Sequence, residues 1–277
     1  MARPDSARRL IVNADDLGRS ASINTAIIQA HHEGILTSAS LMVNEPEAGR
    51  AVQLAKANPS LGVGLHLVLI MGRAALSQSA LSGLVDAQGY FGTDPVKLGF
   101  NYFFQRRLRE PLRREIEAQF QKFAATGLKM DHVNGHMHLH MQPVIFGILM
   151  ENAQRWGIRH FRLTNEPLRP NLRAVSGRFF QRALHSWIFA VLSARQRRAL
   201  QQRGIRFTDA VFGQLQDAHV DEAYVLGLLP QLTPGTYELY SHPSLDTFKH
   251  ELDALVSPRV RTLVDQLRIQ TIRYQDL

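Results

Sequence analysis

Cysteine is absent from this chain of 277 residues, and its absence removes several kinds of site at once. The chain has no disulfide bond, no zinc–thiolate or iron–sulfur centre and no cysteine nucleophile. Any metal ion must therefore be held by His, Asp or Glu. Long hydrophobic runs are also missing, since none reaches the ~18–20 residues that a membrane-spanning helix needs. The short basic leader runs directly into a strand-like segment, not into an apolar signal region, so we expect a cytoplasmic protein.

Acidic residues are absent from one long segment, residues 167–208, which contains nine arginines and no lysine. This segment contributes +9 to a formal net charge of +8, which leaves −1 for the rest of the chain. The basic character is therefore local, and we expect no nucleic-acid partner.

Within that segment, apolar residues recur at helical spacing, and they are Phe180, Leu184, Trp187, Ile188, Val191 and Leu192. Arginines flank them at positions 178, 182, 195 and 198. Two structures fit this pattern: a helix that packs its apolar face on the domain, or an interfacial helix that lies on an anionic membrane surface. The second predicts peripheral contact with the inner face of the membrane through residues 178–206.

Strand-like runs alternate with helical segments along the chain. Residues 22–34 and 111–126 read as helices, and a Gly- and Ser-rich loop covers about residues 71–94. Such alternation predicts βαβ units and a largely parallel sheet. With about seven strands, we expect an α/β barrel or a doubly wound sheet, with the active site at the carboxyl ends of the strands. Because no linker divides the sequence, we expect a single domain over residues 1–277.

Two adjacent acids, Asp15 and Asp16, close the first strand-like run in "LIVNADDLG". Successive side chains on a strand point to opposite faces, so both can enter one site only if the chain turns there. Gly18 would permit such a turn. His66 in "GVGLHLVL" and His242 in "YSHP" also lie on or at the end of predicted strands.

Three histidines, His136, His138 and His140, occur at alternate positions in "HVNGHMHLH" and would share one face of an extended strand. Three on one face favour a metal or catalytic role over packing. A strand rise of ~3.3 Å per residue places the first and last ~13 Å apart, so they cannot both bind one ion. Asp16, His66 and one histidine of this cluster would form a two-His, one-carboxylate site with open positions.

The other acid of the pair would then stay unligated and take the proton of a water activated by the metal. The cluster histidines that do not bind the ion would support its ligands, contact substrate or serve the fold. Arg162 and Glu166, on the predicted strand "FRLTNE", are candidates for the same supporting or substrate-binding roles.

The motifs "IVNADDLG", "PSLGVGLHLVL", "HVNGHMHLHMQP" and "SHP", in this order, resemble those of the YdjC-like carbohydrate deacetylase family, which includes chitooligosaccharide deacetylases. The resemblance implies a distorted (β/α) barrel and a metal-dependent hydrolase that removes N-acetyl groups from amino sugars. It implies Asp15 as general base, His242 as the acid that protonates the leaving amine, and three metal ligands, Asp16, His66 and His136. It also implies one divalent metal ion, with Mg favoured, although Zn, Mn, Co or Ni would suit the same ligands.

The first motif, "FRLTNEP" and an Arg-rich helical insertion at roughly 170–207 look most like the branch associated with hopanoid biosynthesis. That branch implies an N-acetylglucosaminyl lipid as substrate. Two motifs depart from the family pattern: Leu17 replaces Phe in the first, and Asn134–Gly135 replaces Asp–Ser in the histidine-rich one. A homodimer is compatible with the sequence.

Two other functions fit parts of the pattern. A non-haem iron oxygenase also uses two histidines and one carboxylate, but it requires neither a second free Asp nor a late acid. A lipid- or anionic-surface-binding protein would explain the basic segment, but it leaves the histidine cluster without a role.

Overall fold

The computed structural model describes residues 7–175, 177–216 and 218–277. Within these ranges it contains seven strands: β1 (Arg8–Leu17), β2 (Ser38–Leu41), β3 (Gly62–Leu67), β4 (Met130–Gly135), β5 (Ala210–Phe212), β6 (Gly235–Ser241) and β7 (Ile269–Ile272). Ten α-helices surround them in the same ranges: α1 (Ala21–Glu33), α2 (Ala48–Ala57), α3 (Pro95–Phe104), α4 (Arg109–Ala125), α5 (Pro143–Glu151), α6 (Leu168–Ala174), α7 (Phe179–Gln202), α8 (Glu222–Leu228), α9 (Lys249–Val256) and α10 (Pro258–Gln266).

The strands form a parallel sheet in the order β4-β3-β2-β1-β6-β5. The central strand β1 has three neighbours, because β7 pairs with its first half and β2 with its second half, while β6 runs along most of its length. Its consecutive apolar residues Leu10, Ile11 and Val12 are all buried, as expected for a strand covered on both faces.

The sheet is closed through an extended segment, residues 159–165, which lies between β4 and β5. Val133 of β4 donates its backbone N–H to His160, and the backbone N–H of Arg162 donates back to Val133. On the other side, the N–H of Val211 in β5 donates to the carbonyl of Asn165. These are isolated bridges, not a continuous ladder, so the predicted strand "HFRLTNE" is extended but irregular. Of the two folds that the strand pattern predicts, the protein has the barrel, in the distorted (β/α) form that the family resemblance implies.

Local signals explain several helix ends. Ser20 caps α1 by accepting a hydrogen bond from the N–H of Ile23, and Asp94 caps α3 with Pro95 in its first turn. The predicted helices at 22–34 and 111–126 are confirmed as α1 and α4, within one to two residues. Within the described ranges, no helix combines the length and apolar character needed to cross a bilayer.

The prediction of one strand through all three clustered histidines is wrong. Strand β4 ends at Gly135, and residues 136–141 form a tight helical turn. Met137 and His138 adopt left-handed backbone conformations, with φ of 51° and 55°. Because this turn breaks the two-residue alternation, the three histidines point in different directions and not along one strand face.

The Arg-rich segment forms the helix α7. In the first half of this helix the exposed face is the apolar one. Arg182, Ser193 and Gln196 are buried, whereas Phe180 and Trp187 are exposed. Two of these buried side chains bond the backbone: the Arg182 guanidinium donates to the carbonyl of Val175, and the Gln196 amide donates to the carbonyl of Met141. The first part of the predicted apolar stripe, Phe180, Leu184 and Trp187, therefore does not pack on the barrel, whereas Leu192 at its end does pack against the core.

Candidate metal centre and active site

The carboxyl ends of β1, β3, β4 and β6 converge and bring together Asp15, Asp16, His66, His136 and His242. The two adjacent acids reach one site because the chain turns at Asp16 itself, whose φ is +66°. The register between β1 and β2 shifts at the same point. The sequence predicted the turn at Gly18, but the turn begins two residues earlier, at Asp16.

Asp16, His66 and His136 form a cluster of buried side chains whose ligand atoms all lie within 4.8 Å of one another. Asp16 Oδ1 lies 3.1 Å from His136 Nδ1 and 3.4 Å from His66 Nε2. Both Asp16 Oδ1 and His66 Nε2 lack a well-formed hydrogen bond although they are buried. Unpaired buried polar atoms are costly, and a carboxylate with two imidazoles is a usual ligand set for a divalent cation. These three residues therefore fit a metal ion.

The ionisation state of Asp16 is set by its attraction to the two neighbouring histidines. Burial alone would raise the pKa of Asp16, but the imidazoles of His136 and His66 outweigh it and hold the pKa well below its usual value. The second oxygen of Asp16 accepts a hydrogen bond from Arg19 at 2.7 Å. The carboxylate is therefore ionised and turned so that one oxygen faces the two histidines.

Asn134 connects the cluster to the neighbouring acid. Its Oδ1 lies 2.7 Å from His66 Nδ1, so that nitrogen carries the proton and Nε2 presents a lone pair toward Asp16. The Asn134 amide nitrogen donates to Asp15 Oδ1 at 3.0 Å and to Ser40 at 2.8 Å. Asn134 therefore orients a candidate ligand and the candidate base at once.

Asp15 is held by four hydrogen bonds. Arg162 donates to both of its oxygens, at 2.6 and 3.0 Å, and Asn13 and Asn134 donate to Oδ1. Burial would raise the pKa of Asp15, but the Arg162 guanidinium, with smaller contributions from His66 and His242, holds it far below the ordinary value. Arg162 is fully buried and also bonds Glu238, which accepts a hydrogen bond from Tyr274.

His242 follows β6 and lines the same cleft as Asp15 and His66. Its side chain is 22% exposed, so it can meet solvent or substrate. Its backbone N–H donates to the buried carboxylate of Glu251, which also receives the N–H of Val220. This contact fixes the loop that carries the histidine.

The other predicted supporting residues separate into two groups. His138 contacts the hydroxyls of Tyr240 and Thr164, and His140 Nε2 donates to the carbonyl of Arg162. Burial and the nearby guanidinium lower the pKa of His138 well below its usual value and that of His140 to about 3, so both are neutral at pH 7. Neither belongs to the ligand cluster.

Glu166 lies away from these groups. It accepts hydrogen bonds from the backbone N–H of Leu215, from Asn171 and from the hydroxyl of Tyr224. These contacts connect the segment before α6 to the segment after β5, so Glu166 has a structural role.

A cleft of about 680 Å³ opens over the cluster. Its polar lining includes Asp15, His66, His136 and His242. Its walls are apolar and come mainly from two helices: Phe100, Phe103 and Phe104 of α3, and Ile188, Phe189 and Leu192 of α7. A polar centre at the side of a wide apolar cleft suits a substrate with a polar reacting end and a bulky apolar part.

Sequence reasoning missed several residues of this site. Asn13 shares the inward face of β1 with Asp15 at a spacing of two, which was a usable signal. Glu238 and Tyr274 could not be found, because Glu238 bonds Arg162 and Tyr274 bonds Glu238 between parts of the chain that are distant in sequence.

The site and fold describe a parallel barrel with a buried Asp–His–His cluster. The sequence model of the family described as "YdjC-like protein" matches residues 9–266, so the chain belongs to the YdjC-like family.

Relatives differ in how much of them the chain covers. It is 42% identical over 150 residues to a carbohydrate deacetylase of Brevibacillus brevis, which is 54% of this chain and 57% of that protein. It is 28% identical over 235 residues to a carbohydrate deacetylase of Thermoanaerobacter pseudethanolicus, with 85% and 80% covered. The match to the first relative thus spans little more than half of its length.

Among solved structures, one from Enterococcus faecalis V583, named "putative cellobiose-phosphate cleavage protein", superimposes with a TM-score of 0.74. The alignment covers 98% of this chain and 99% of that one at 23% sequence identity. At this identity, the likeness supports the fold alone.

Proposed function

We propose that this protein is a metal-dependent carbohydrate N-deacetylase that hydrolyses the acetamide of an amino sugar. One observation carries the proposal: the buried cluster of Asp16, His66 and His136 lies beside a second carboxylate, Asp15, which has its own hydrogen-bond partners. Metal-dependent amide hydrolysis uses a cation that activates water and a separate base that takes the proton of that water. The named activity of the family relatives supports the same reaction.

Asp16, His66 and His136 would hold one divalent cation, with Mg favoured by the family resemblance. When bound, the cation supplies Lewis acidity, which lowers the pKa of water and polarises a carbonyl. Asn134 keeps the unprotonated nitrogen of His66 directed at the cluster. Arg19 donates to the second oxygen of Asp16 and keeps the carboxylate from rotating, so the affinity of the site for the cation is not lowered by such rotation.

Asp15 acts as the general base. A water attacks the acetyl carbonyl carbon, and its proton passes to the Asp15 carboxylate as the carbon–oxygen bond forms. Arg162 and Asn134 keep the carboxylate ionised and fixed in direction before the reaction. His242 then donates a proton to the sugar nitrogen as the carbon–nitrogen bond breaks, which releases acetate and the free amine.

The substrate in this proposal is a lipid-linked amino sugar, such as the N-acetylglucosaminyl lipid implied by the hopanoid branch, reached by a cytoplasmic enzyme. The apolar wall built by α3 and α7 supports a substrate with a large apolar aglycone. A free chitooligosaccharide would leave this wall exposed to water, at a cost that scales with its apolar area.

Acetate release is the direct test. The metal-depleted protein, supplied with Mg, Zn, Mn, Co or Ni in turn, is offered chitooligosaccharides and alkyl N-acetylglucosaminides of increasing chain length. We expect metal-dependent acetate and amine in equal amounts, with kcat/KM rising with chain length. Replacing His242 by Ala should lower kcat by ~10²–10⁴-fold and leave metal content unchanged. Oxygen uptake with Fe(II) and a 2-oxo acid, without acetate release, would instead identify an oxygenase.

A further inference from the structure

An apolar rim, defined as Phe100, Phe103 and Phe104 of α3 with Phe180, Leu184 and Trp187 of α7, is exposed at the surface. The α3 members also line the active-site cleft, so they lie at its mouth. On α7, Ile188 lines the cleft and shares one helical face with Phe180, Leu184 and Trp187. The rim is therefore continuous with the opening of the site.

These side chains are far more exposed than core residues. Phe180 is 86% exposed, Phe104 66% and Trp187 65%. Single exposed apolar residues are ordinary, but six large ones on the two helices that form the walls of one cleft mark an interaction site.

The orientation of α7 is fixed by its polar face. Arg182, Ser193 and Gln196 are buried on the side opposite to the rim, and the first and last of them bond backbone carbonyls. Turning the helix to bury its apolar face would break these hydrogen bonds and leave buried carbonyls unpaired. The outward apolar face is thus a property of the fold.

Charge on the same helix identifies the partner. Arg195 and Arg198 continue the exposed face beyond Trp187, and Arg178 lies exposed at the start of the helix. Residues 167–208 contain no acid that could neutralise them. Aromatic and aliphatic side chains beside arginines, on one face of a helix, match an interface between water and anionic lipid. In a two-fold dimer across this face, the arginines would meet like charges.

We propose that the apolar rim docks the protein on an anionic membrane surface, with the mouth of the cleft facing the lipid. Only the benefit of docking rests on the proposed function: a lipid-linked sugar could then enter the cleft without crossing water. Docking itself requires no catalysis, so it can succeed or fail independently of the deacetylase activity.

Co-sedimentation with sucrose-loaded vesicles tests docking. The full chain is mixed with phosphatidylcholine vesicles that contain either no anionic lipid or a third phosphatidylglycerol, at low and high salt. We expect binding to the anionic vesicles at low salt and a loss of at least tenfold in affinity at high salt or without the anionic lipid.

Variants locate the surface. The triple change Phe180→Ser, Leu184→Ser and Trp187→Ser should weaken binding at least tenfold, whereas Leu245→Ser, an exposed apolar residue outside the cleft, should not. Arg195→Gln should weaken binding about fivefold, and Arg50→Gln on α2 should leave it unchanged. Asp15→Asn should bind vesicles like the parent even though it lacks the proposed base.

A second measurement reports the rim directly and does not depend on the triple variant folding. The chain has two tryptophans, and the other one, Trp156, stacks on Phe120. In Trp156→Phe, the emission of Trp187 should shift to shorter wavelength on anionic vesicles and should be quenched by brominated acyl chains.

Three results would overturn the proposal. One is the absence of binding to anionic vesicles at low salt. Another is binding that the triple change leaves intact while Trp187 emission stays unshifted. The third is a dimer in solution that the triple change converts to a monomer, which would assign the rim to a second copy.

Discussion

At the scale of single residues, the candidate site is defined by which buried polar atoms have partners and which do not. Asp15 has four hydrogen-bond donors around it, whereas the inward oxygen of Asp16 faces two imidazoles and has no well-formed hydrogen bond. Two adjacent residues of the same type thus occupy different environments. This difference supports different roles, with one carboxylate as base and the other as ligand.

The two acids should separate on substitution. Asp15→Asn should abolish turnover while metal content stays at the parent level, because the base is lost and the ligands remain. Asp16→Asn should instead weaken metal binding itself. Metal analysis and acetate release on both variants are the measurements, with Asp86→Asn, an exposed loop acid, as the matched control. If Asp15→Asn strips the metal and Asp16→Asn retains it, the two roles are reversed.

Asn134 should control metal affinity without touching the metal. Asn134→Ala removes the acceptor for His66 Nδ1 and frees the imidazole to rotate, so we expect a ~10–100-fold loss of metal affinity. Asn134→Asp keeps an acceptor at this position and should retain the metal far better. Calorimetric titration of the metal-depleted variants measures both. Equal affinity in the parent and in Asn134→Ala would show that the hydrogen bond has no part in metal binding.

At the scale of elements, strand–helix alternation and helix caps were predictable because they depend on local sequence. The turn at 136–141 was not, since Met137 and His138 adopt left-handed conformations, which are uncommon for residues other than glycine. Helix α3 had a usable signal in Asp94–Pro95, but its mostly apolar sequence lacks the polar face that a helical pattern needs. The orientation of α7 depends on partners such as the carbonyl of Met141, which lies 55 residues away in sequence.

Glu166 links α6 and β5 and should make stability depend on pH. Burial raises the pKa of Glu166 to about 7, from 4.5 in an exposed glutamate. Between these values the unfolded chain loses the proton and the folded protein keeps it, so the free energy of unfolding falls as pH rises through this window. The loss is of order 3 kcal/mol and is complete above about pH 8.

Urea unfolding of the parent and of Glu166→Gln between pH 4.5 and 8 measures this effect. The parent should lose stability relative to the variant as pH rises, whereas Glu151→Gln, at an exposed position on α5, should run parallel to the parent. A constant difference between the parent and Glu166→Gln would show that the carboxyl does not titrate in this window.

At the scale of the whole molecule, the barrel gathers ligands from distant parts of the chain. Asp16, His66 and His136 come from β1, from β3 and from the turn after β4, and between them lie the other elements of the first half of the fold. The unfolded chain cannot keep these three side chains together. A cation that binds them would therefore bind the folded state and stabilise it by mass action.

Metal removal should accordingly lower the melting temperature. At a free metal concentration of about 100 times Kd, binding stabilises the folded state by ~2.7 kcal/mol, which corresponds to about 5–10 °C for a domain of this size. Scanning calorimetry with excess chelator and with added metal should show this increment in the parent and in His138→Ala, since His138 lies outside the cluster. In Asp16→Asn the increment should vanish, whatever the variant's own melting temperature. If the parent melts at the same temperature with and without metal, Asp16, His66 and His136 do not share an ion. The proposed hydrolytic site would then lack its metal.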